Sequence, residues 1–130
     1  MPHADEFEML DGIAVLRVQG VYSFDAGVAH VEERIPLALA QGYDSLLVDC
    51  LGISGFAPPS IAARHAMVRR WATAARGRVC MAVVIGGRFV DPEKYGVRAA
   101  ANFGLTIDAF ETIPEASAWL LAQRTWRLKQ

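Results

Sequence analysis

The fold is decided by SLLVDCL, residues 45–51, together with its counterpart VCMAVVI, residues 79–85. The first run is interrupted only by Asp49 near its end, and the second contains no charged residue. Strands that are buried on both faces, as in a parallel sheet, have this nearly continuous apolar character. We therefore expect the two runs to be neighbouring central strands that point in the same direction.

The residues before this pair predict a β-hairpin. Phe7 to Leu10 and Ile13 to Gly20 are strand-like runs separated by Asp11-Gly12. This dipeptide tolerates the positive φ angles of a two-residue turn between antiparallel strands.

Apolar spacing then predicts helices on either side of the first central strand. The first spans residues 25–41, capped by Ser23 or Asp25 and stopped by Gly42, with Pro36 expected to kink it or begin a new turn. The second opens at Ser60, and its expected buried stripe is Ile61, His65, Val68, Trp71, Ala72 and Ala75.

Two further helices follow the second central strand. Asp91-Pro92-Glu93 predicts a helix start, and Gly104 ends that helix after an expected buried stripe of Tyr95, Ala99 and Phe103. A short strand at residues 105–110 leads to Thr112 and Glu115, which have capping-box spacing. The last helix is expected to reach about Gln123.

The predicted order is β-β-α-β-α-β-α-β-α, an α/β fold with a mixed, mostly parallel sheet packed against helices. The 130 residues suit one domain, with a core at about residues 6–123 and a basic tail at residues 124–130. Apolar and charged fractions of 53% and 21% exclude a disordered, collagen-like or coiled-coil chain. The acidic start and short apolar runs predict a cytoplasmic protein without a membrane span.

Charge is distributed unevenly along the chain. Residues 1–63 hold two Arg against nine Asp and Glu, whereas residues 64–104 hold seven Arg and one Lys against two acids. The acidic and basic elements are expected to neighbour each other in the fold or between subunits, in preference to binding an anionic partner. The arginines are not interleaved with aromatic residues, so no nucleic-acid partner is predicted.

The segment Leu47-Val48-Asp49-Cys50-Leu51-Gly52-Ile53-Ser54-Gly55-Phe56, in this order of elements, resembles the STAS domain of bacterial anti-sigma factor antagonists and sulfate-transporter tails. The late unit ending in Ala118-Trp119-Leu120 is similar to soluble STAS-like proteins related to lipid-binding SEC14 domains. The resemblance implies a non-enzymatic regulatory or scaffolding domain that binds a protein partner or a second copy of itself as a homodimer. The alternative is a small-molecule or lipid-binding module, and no cofactor is implied.

One motif of the antagonist proteins is missing. In those proteins a Ser in an Asp-Ser-Ser-Gly type motif is phosphorylated, and the equivalent positions here are Ala57, Pro58, Pro59 and Ser60. A proline cannot accept a phosphate, so the chain is expected to lack the usual phosphoserine switch, with Ser54 or Ser60 as the only conceivable replacements nearby.

Loops that leave the carboxyl ends of parallel strands share one edge of the sheet, where ligands usually bind. An anionic or lipid-like ligand would contact this edge, and the candidate ligand-binding residues there are Asp49, Ser54, Ser60, Arg88 and Asp91. Ser60 is better explained as an ordinary helix cap than as a ligand site. Asp49 is expected to hold the following loop through backbone N–H groups or Arg88 rather than to act as a base.

The remaining reactive residue types give no catalytic or metal site. His65 lies on a predicted apolar stripe, Cys50 and Cys80 lie in the central strands, and no set of ligands has metal spacing. Phe56, Met67 and Trp126 are the predicted interface residues, since exposed aromatic and Met side chains favour protein contacts.

Overall fold

The computed structural model describes the backbone of residues 7–128 and the side chains of residues 7–126. The order of elements is β1 (Phe7–Leu10), β2 (Ile13–Arg17), β3 (Gly20–Val21), α1 (Phe24–Ala40), β4 (Ser45–Asp49), β5 (Ile53–Ser54), α2 (Ile61–Ala75), β6 (Cys80–Val84), a 3-10 turn (Gly87–Phe89), α3 (Tyr95–Asn102), β7 (Ile107–Phe110) and α4 (Ile113–Leu128).

The main sheet has five strands in the order β1-β2-β4-β6-β7. Strands β4 and β6 are parallel, with Ser45 opposite Cys80 and Asp49 opposite Val84. Only β1 runs antiparallel, joined to β2 by Asp11 and Gly12, whose φ angles of 53° and 81° are both positive. The predicted α/β class, the hairpin and the mixed, mostly parallel sheet are confirmed.

Helices cover both faces of this sheet. Buried residues of α1, α2 and α3 form one core with alternate strand residues such as Leu46, Val48 and Met81. The intervening strand residues, including Leu47 and Ala82, pack against α4 on the other face. This alternation explains the continuous apolar runs, because both sides of each central strand are removed from water. Among residues 7–128, none of the helices has the length and apolar character that crossing a bilayer requires.

A second, two-stranded parallel sheet was not predicted. Its strands, β3 and β5, pair at the carboxyl end of β2 and β4 through bonds from Gly20 N–H to the Gly52 carbonyl (3.0 Å) and from Tyr22 N–H to the Ser54 carbonyl (2.8 Å). The strand predicted at residues 13–20 is therefore divided after Arg17.

Three helices differ from prediction, one in its continuity and two in a boundary. Helix α1 continues through Pro36 as one element, although proline provides no backbone donor at that position. Helix α3 begins at Tyr95, because the Asp91 carboxylate closes a separate turn before it. Helix α4 extends to Leu128, so the predicted basic tail is helical as far as the structure describes it, and Arg124 bonds the Gly12 carbonyl (3.0 Å) and Asp44 (3.1 Å).

Two predicted helix stripes are only partly buried. In α2 the stripe holds for Val68, Trp71, Ala72 and Ala75, but Ile61 and His65 are exposed. In α3 the predicted Ala99 is partly buried against the core, whereas Tyr95 and Phe103, the residue that follows the helix, are exposed. Each prediction failed because only part of the helix lies against the sheet and its neighbouring helices.

The acidic and basic halves of the chain meet between helices. Arg70 of α2 bonds Glu32 of α1 at 2.6 Å. This pair accords with the expectation that the two charge clusters neighbour each other within the fold.

Close backbone approach at Gly55 gives a stability prediction. Its φ is +109°, and an added Cβ would overlap the backbone of Tyr22, whereas Gly20 has a similar φ of +115° and open space around it. Both alanine substitutions carry backbone strain, but only Gly55→Ala adds a steric overlap. We expect Gly55→Ala to lower the free energy of unfolding by at least about 1 kcal/mol more than Gly20→Ala, measured by urea denaturation. Equal losses would contradict the close packing of β3 and β5.

Candidate ligand-binding site

A cavity of about 130 Å³ lies between the sheet and helices α1 to α3, at the carboxyl ends of the parallel strands. Its lining is almost entirely apolar. The lining residues are Val18, Phe24, Gly27, Val28, Val31, Cys50, Ile53, Phe56, Pro59, Arg64, Met67, Val68, Trp71, Val83, Ile85, Phe89, Val90, Asp91, Lys94, Gly96, Val97, Ile107, Asp108 and Ala109.

Three phenylalanines, here called the aromatic row, connect the segments around the cavity. Phe24 opens α1, Phe56 lies in the loop after β5, and Phe89 lies in the 3-10 turn after β6. Ring centroids are 5.6 Å apart for Phe24 and Phe56 and 5.3 Å apart for Phe56 and Phe89, in tilted or edge-to-face arrangements. Such geometries are favourable for aromatic pairs, so the row holds the three segments together.

Arg64 ties two of these segments by hydrogen bonds. From the first turn of α2, its Nε donates to the Pro59 carbonyl at 3.3 Å and its Nη1 donates to the Phe89 carbonyl at 2.9 Å. Bonds from a charged donor are stronger than neutral ones. Arg64 therefore fixes the loop before α2 against the loop after β6.

The other charged residues of the lining also make hydrogen bonds within the protein. The Asp91 carboxylate accepts bonds from the Tyr95 and Glu93 N–H groups, each at 2.9 Å. The bond from Tyr95, followed by that from Glu93, lowers the pKa of Asp91, so the carboxylate is ionised at neutral pH. Lys94 has a left-handed φ of 57°, and its ammonium contacts Asp108 at 2.6 Å and the Ala109 carbonyl at 3.4 Å.

Cys50 also lines the cavity, but its thiol is unreactive. Burial, with a smaller contribution from the charge of Asp49, raises the pKa of the Cys50 thiol from 9.0 to about 12. The thiol is therefore protonated at neutral pH and lacks the character of a nucleophile.

Asp49, a predicted ligand-binding residue, faces away from the cavity. It is buried on the α4 side of the sheet, where its carboxylate accepts a bond from the Leu51 N–H (3.1 Å) and lies 3.4 Å from Arg17 Nε. The expected partners, Arg88 and the loop at residues 52–60, are not the ones observed. Asp49 fixes the turn that follows β4, which is a structural role.

Of the other four predicted ligand-binding residues, one lines the cavity and three do not. Asp91 lines the cavity, but Ser54, Ser60 and Arg88 do not. Ser60 caps α2 by accepting a bond from Ala63 N–H (3.1 Å), and the Ser54 hydroxyl lies 3.5 Å from the Gly20 carbonyl. The exposed Arg88 stacks on the outside of the row, 4.6 Å from the centroid of Phe89.

The three predicted interface residues do not share one surface. Phe56 and Met67 line the cavity and are half-buried. Trp126 is 61% exposed and lies beside Gly77, Gly104 and Thr106, near the amino ends of the strands. The length of the sheet separates them, because α4 carries Trp126 back past the strands.

Sequence reasoning missed the residues that close the cavity, Arg64, Phe89 and Lys94. Arg64 was counted with the basic residues of α2, and only its position in the first helical turn next to Pro59 could have suggested a loop contact.

Within residues 7–128, no three His, Cys, Asp or Glu side chains lie close enough together to hold a metal ion.

Neither a protein-family model nor a curated protein sequence matches this chain.

The contacts of Arg64 give a prediction about loop opening. Arg64→Ala removes both bonds that join residues 59 and 89, and each bond from a charged donor contributes on the order of 1.5–3 kcal/mol. We expect amide hydrogen exchange in residues 53–59 and 86–91 to become at least about 100-fold faster, the factor that corresponds to two bonds at the lower end of this range. Arg69→Ala, on the exposed side of the same helix, is the control and should leave these rates unchanged. Unchanged exchange in Arg64→Ala would show that the aromatic row alone holds the loops.

The raised pKa of Cys50 gives a second prediction. In a Cys80→Ala variant, iodoacetamide at pH 8 should alkylate Cys50 about 1000-fold more slowly in folded protein than in urea-unfolded protein, since the thiolate is that much rarer. Because the folded pKa is the higher one, the contribution of this thiol to stability is complete below pH 9.0 and is lost as pH rises toward about 12. Alkylation of folded protein within tenfold of the unfolded rate would contradict the burial of Cys50.

Proposed function

We propose that this chain is a STAS-like, non-enzymatic binding module that holds a small apolar molecule in the cavity beneath the aromatic row. The observation that carries the proposal is the apolar cavity itself, which is bordered by Phe24, Phe56 and Phe89 and by loops that Arg64 holds together. It lies where the loops of a parallel sheet most often bind ligands.

Physical chemistry favours an occupant for such a space. Side chains that border a void lose dispersion contacts, and an apolar cavity gains nothing from water because it offers few hydrogen-bonding partners. An apolar molecule bound in the cavity restores those dispersion contacts, and its own transfer out of water is also favourable. Binding would therefore stabilise the folded protein in proportion to the concentration and affinity of the ligand.

The polar groups of the lining support binding rather than catalysis. Asp91 is bonded to two backbone amides, Arg64 to two carbonyls, and Cys50 is protonated. A general base needs a free lone pair within hydrogen-bond distance of a substrate proton, and a thiol nucleophile is activated by a lowered pKa. The residues that reach the cavity are already engaged in holding its walls.

A regulatory or scaffolding role through protein contacts is the second candidate. Val21, Leu51 and Ile61 are large apolar side chains with more than half of their surface exposed, and all three belong to segments at the carboxyl end of the sheet. Exposed apolar groups at one end of a domain favour a protein partner or a second copy of the chain. Pro58 and Pro59 in place of phosphoacceptor serines support a mode of action without the phosphoserine switch.

Xenon tests the proposed cavity without assuming a ligand. In protein labelled with ¹³C at the methyl groups and placed in xenon-saturated buffer, we expect saturable shifts at Val28, Val31 and Val68, which line the cavity. Methyl groups on the α4 side, such as those of Leu47 and Leu120, should not shift.

Two matched variants, each of which replaces an alanine with leucine, provide the control. Ala109→Leu adds three carbons inside the cavity and should abolish the xenon shifts, whereas Ala122→Leu makes the same change on an exposed position of α4 and should preserve them. Native mass spectrometry of freshly purified protein would then reveal any retained small molecule. Xenon shifts that are absent, or that survive Ala109→Leu, would overturn the binding proposal.

A further inference from the structure

Resting on the binding function proposed above, we infer that the cavity accepts an uncharged molecule about the size of one aromatic ring, and rejects charged molecules and long acyl chains. Three observations support this class of ligand: the volume of the cavity, the bonding of every charged group in its wall, and the aromatic rings around it.

The volume limits the size of the ligand. At about 130 Å³, the cavity is close to the roughly 150 Å³ at which a dry apolar cavity in another protein takes up benzene. Sites for drug-sized molecules are larger, about 300–1,000 Å³. The cavity is open on one side, so a long acyl chain would place only part of its length inside and leave the rest in water. To enclose the whole chain, the loops joined by Arg64 and the aromatic row would have to separate, which would break the bonds to the Pro59 and Phe89 carbonyls.

The charges of the wall exclude a charged ligand. Four charged side chains border the cavity, two cationic and two anionic. Arg64 bonds carbonyls, Asp91 bonds amides, and Lys94 and Asp108 bond each other. A ligand carboxylate would lose its hydration without meeting a net positive charge that offsets this loss, because Asp91 and Asp108 accompany Arg64 and Lys94 in the lining. A ligand ammonium would meet Arg64 and Lys94 in the same way, and an unpaired charge in an apolar site is costly.

The rings favour an aromatic ligand over an aliphatic one of equal size. Phe24, Phe56, Phe89 and Trp71 all line the cavity, and the Trp71 indole is held in place by its bond to the Val28 carbonyl (3.1 Å). Ring edges and faces that are already fixed can contact a planar ring at little entropic cost. Met67 adds a polarisable sulfur, which also pairs well with aromatic rings.

Four ring compounds of nearly equal size test the inference at pH 7: benzyl alcohol, cyclohexylmethanol, benzoate and benzylammonium. We expect benzyl alcohol to bind with the shifts of Val28, Val31 and Val68 that xenon produces. Cyclohexylmethanol should bind about 2- to 10-fold more weakly, because it lacks the aromatic contacts. Benzoate and benzylammonium should bind at least about 10-fold more weakly, since each brings an unpaired charge.

Controls separate the inference from the binding function. Ala109→Leu should abolish the binding of benzyl alcohol and Ala122→Leu should not. Benzoate or benzylammonium binding as tightly as benzyl alcohol would overturn the exclusion of charge, and 1-decanol binding more tightly would overturn the size limit. Cyclohexylmethanol binding at least as tightly as benzyl alcohol would overturn the preference for an aromatic ring. If xenon occupies the cavity but no ring compound does, the inference fails while the binding function stands; if xenon is excluded as well, both fail.

Discussion

The parallel pairing of β4 with β6 is the constraint on which the rest of the molecule depends. Leu46 pairs with Met81 and Val48 with Val83, and these residues face α1 to α3, while the alternate residues face α4. Because both strands end at the same edge, the turn after Asp49 and the loop after Val84 must emerge side by side. The backbone continues the pairing one step further, with Cys50 N–H bonded to the Val84 carbonyl at 2.7 Å. Everything that encloses the cavity grows from these two neighbouring strand ends.

The cavity exists because the loops are joined to one another over the sheet and helices but do not fill the space between them. Arg64 and the aromatic row connect segments that are far apart in the chain, and the small β3–β5 sheet fixes the loop that carries Phe56. Glycines at positions 27 and 96 reduce the volume that α1 and α3 contribute to the lining. Apolar side chains form most of the lining of the cavity. The polar groups at its border make their hydrogen bonds to the loops that they hold in place. Stability and binding thus depend on one set of residues, as expected where function is placed on loops fixed by a rigid sheet.

Local chemistry made part of this structure predictable. Asp11-Gly12 predicted a hairpin because few other dipeptides accept two positive φ angles, and Ser23, Ser60 and Thr112 cap helices through bonds that form within one turn. Predictions failed where distant residues decide. Ile61 and Tyr95 have helical spacing, but each begins its helix and remains exposed, which the spacing alone does not reveal. Asp49 was expected to contact a ligand or the loop at the carboxyl edge of the sheet. Strand alternation instead directs its side chain to the opposite face, where Arg17 is its partner.

The sequence by itself determined the α/β class, the two central strands and the edge of the sheet where loops gather, because hydrophobic periodicity and turn chemistry are local properties. Only the tertiary structure decided which side chains reach the cavity, since the bonds of Arg64 to residues 59 and 89 and the contacts of the three phenylalanines depend on how the loops cross. Whether a charged residue at the border is free for a ligand or occupied by a neighbour is likewise a matter of three-dimensional contact, which spacing along the chain does not specify.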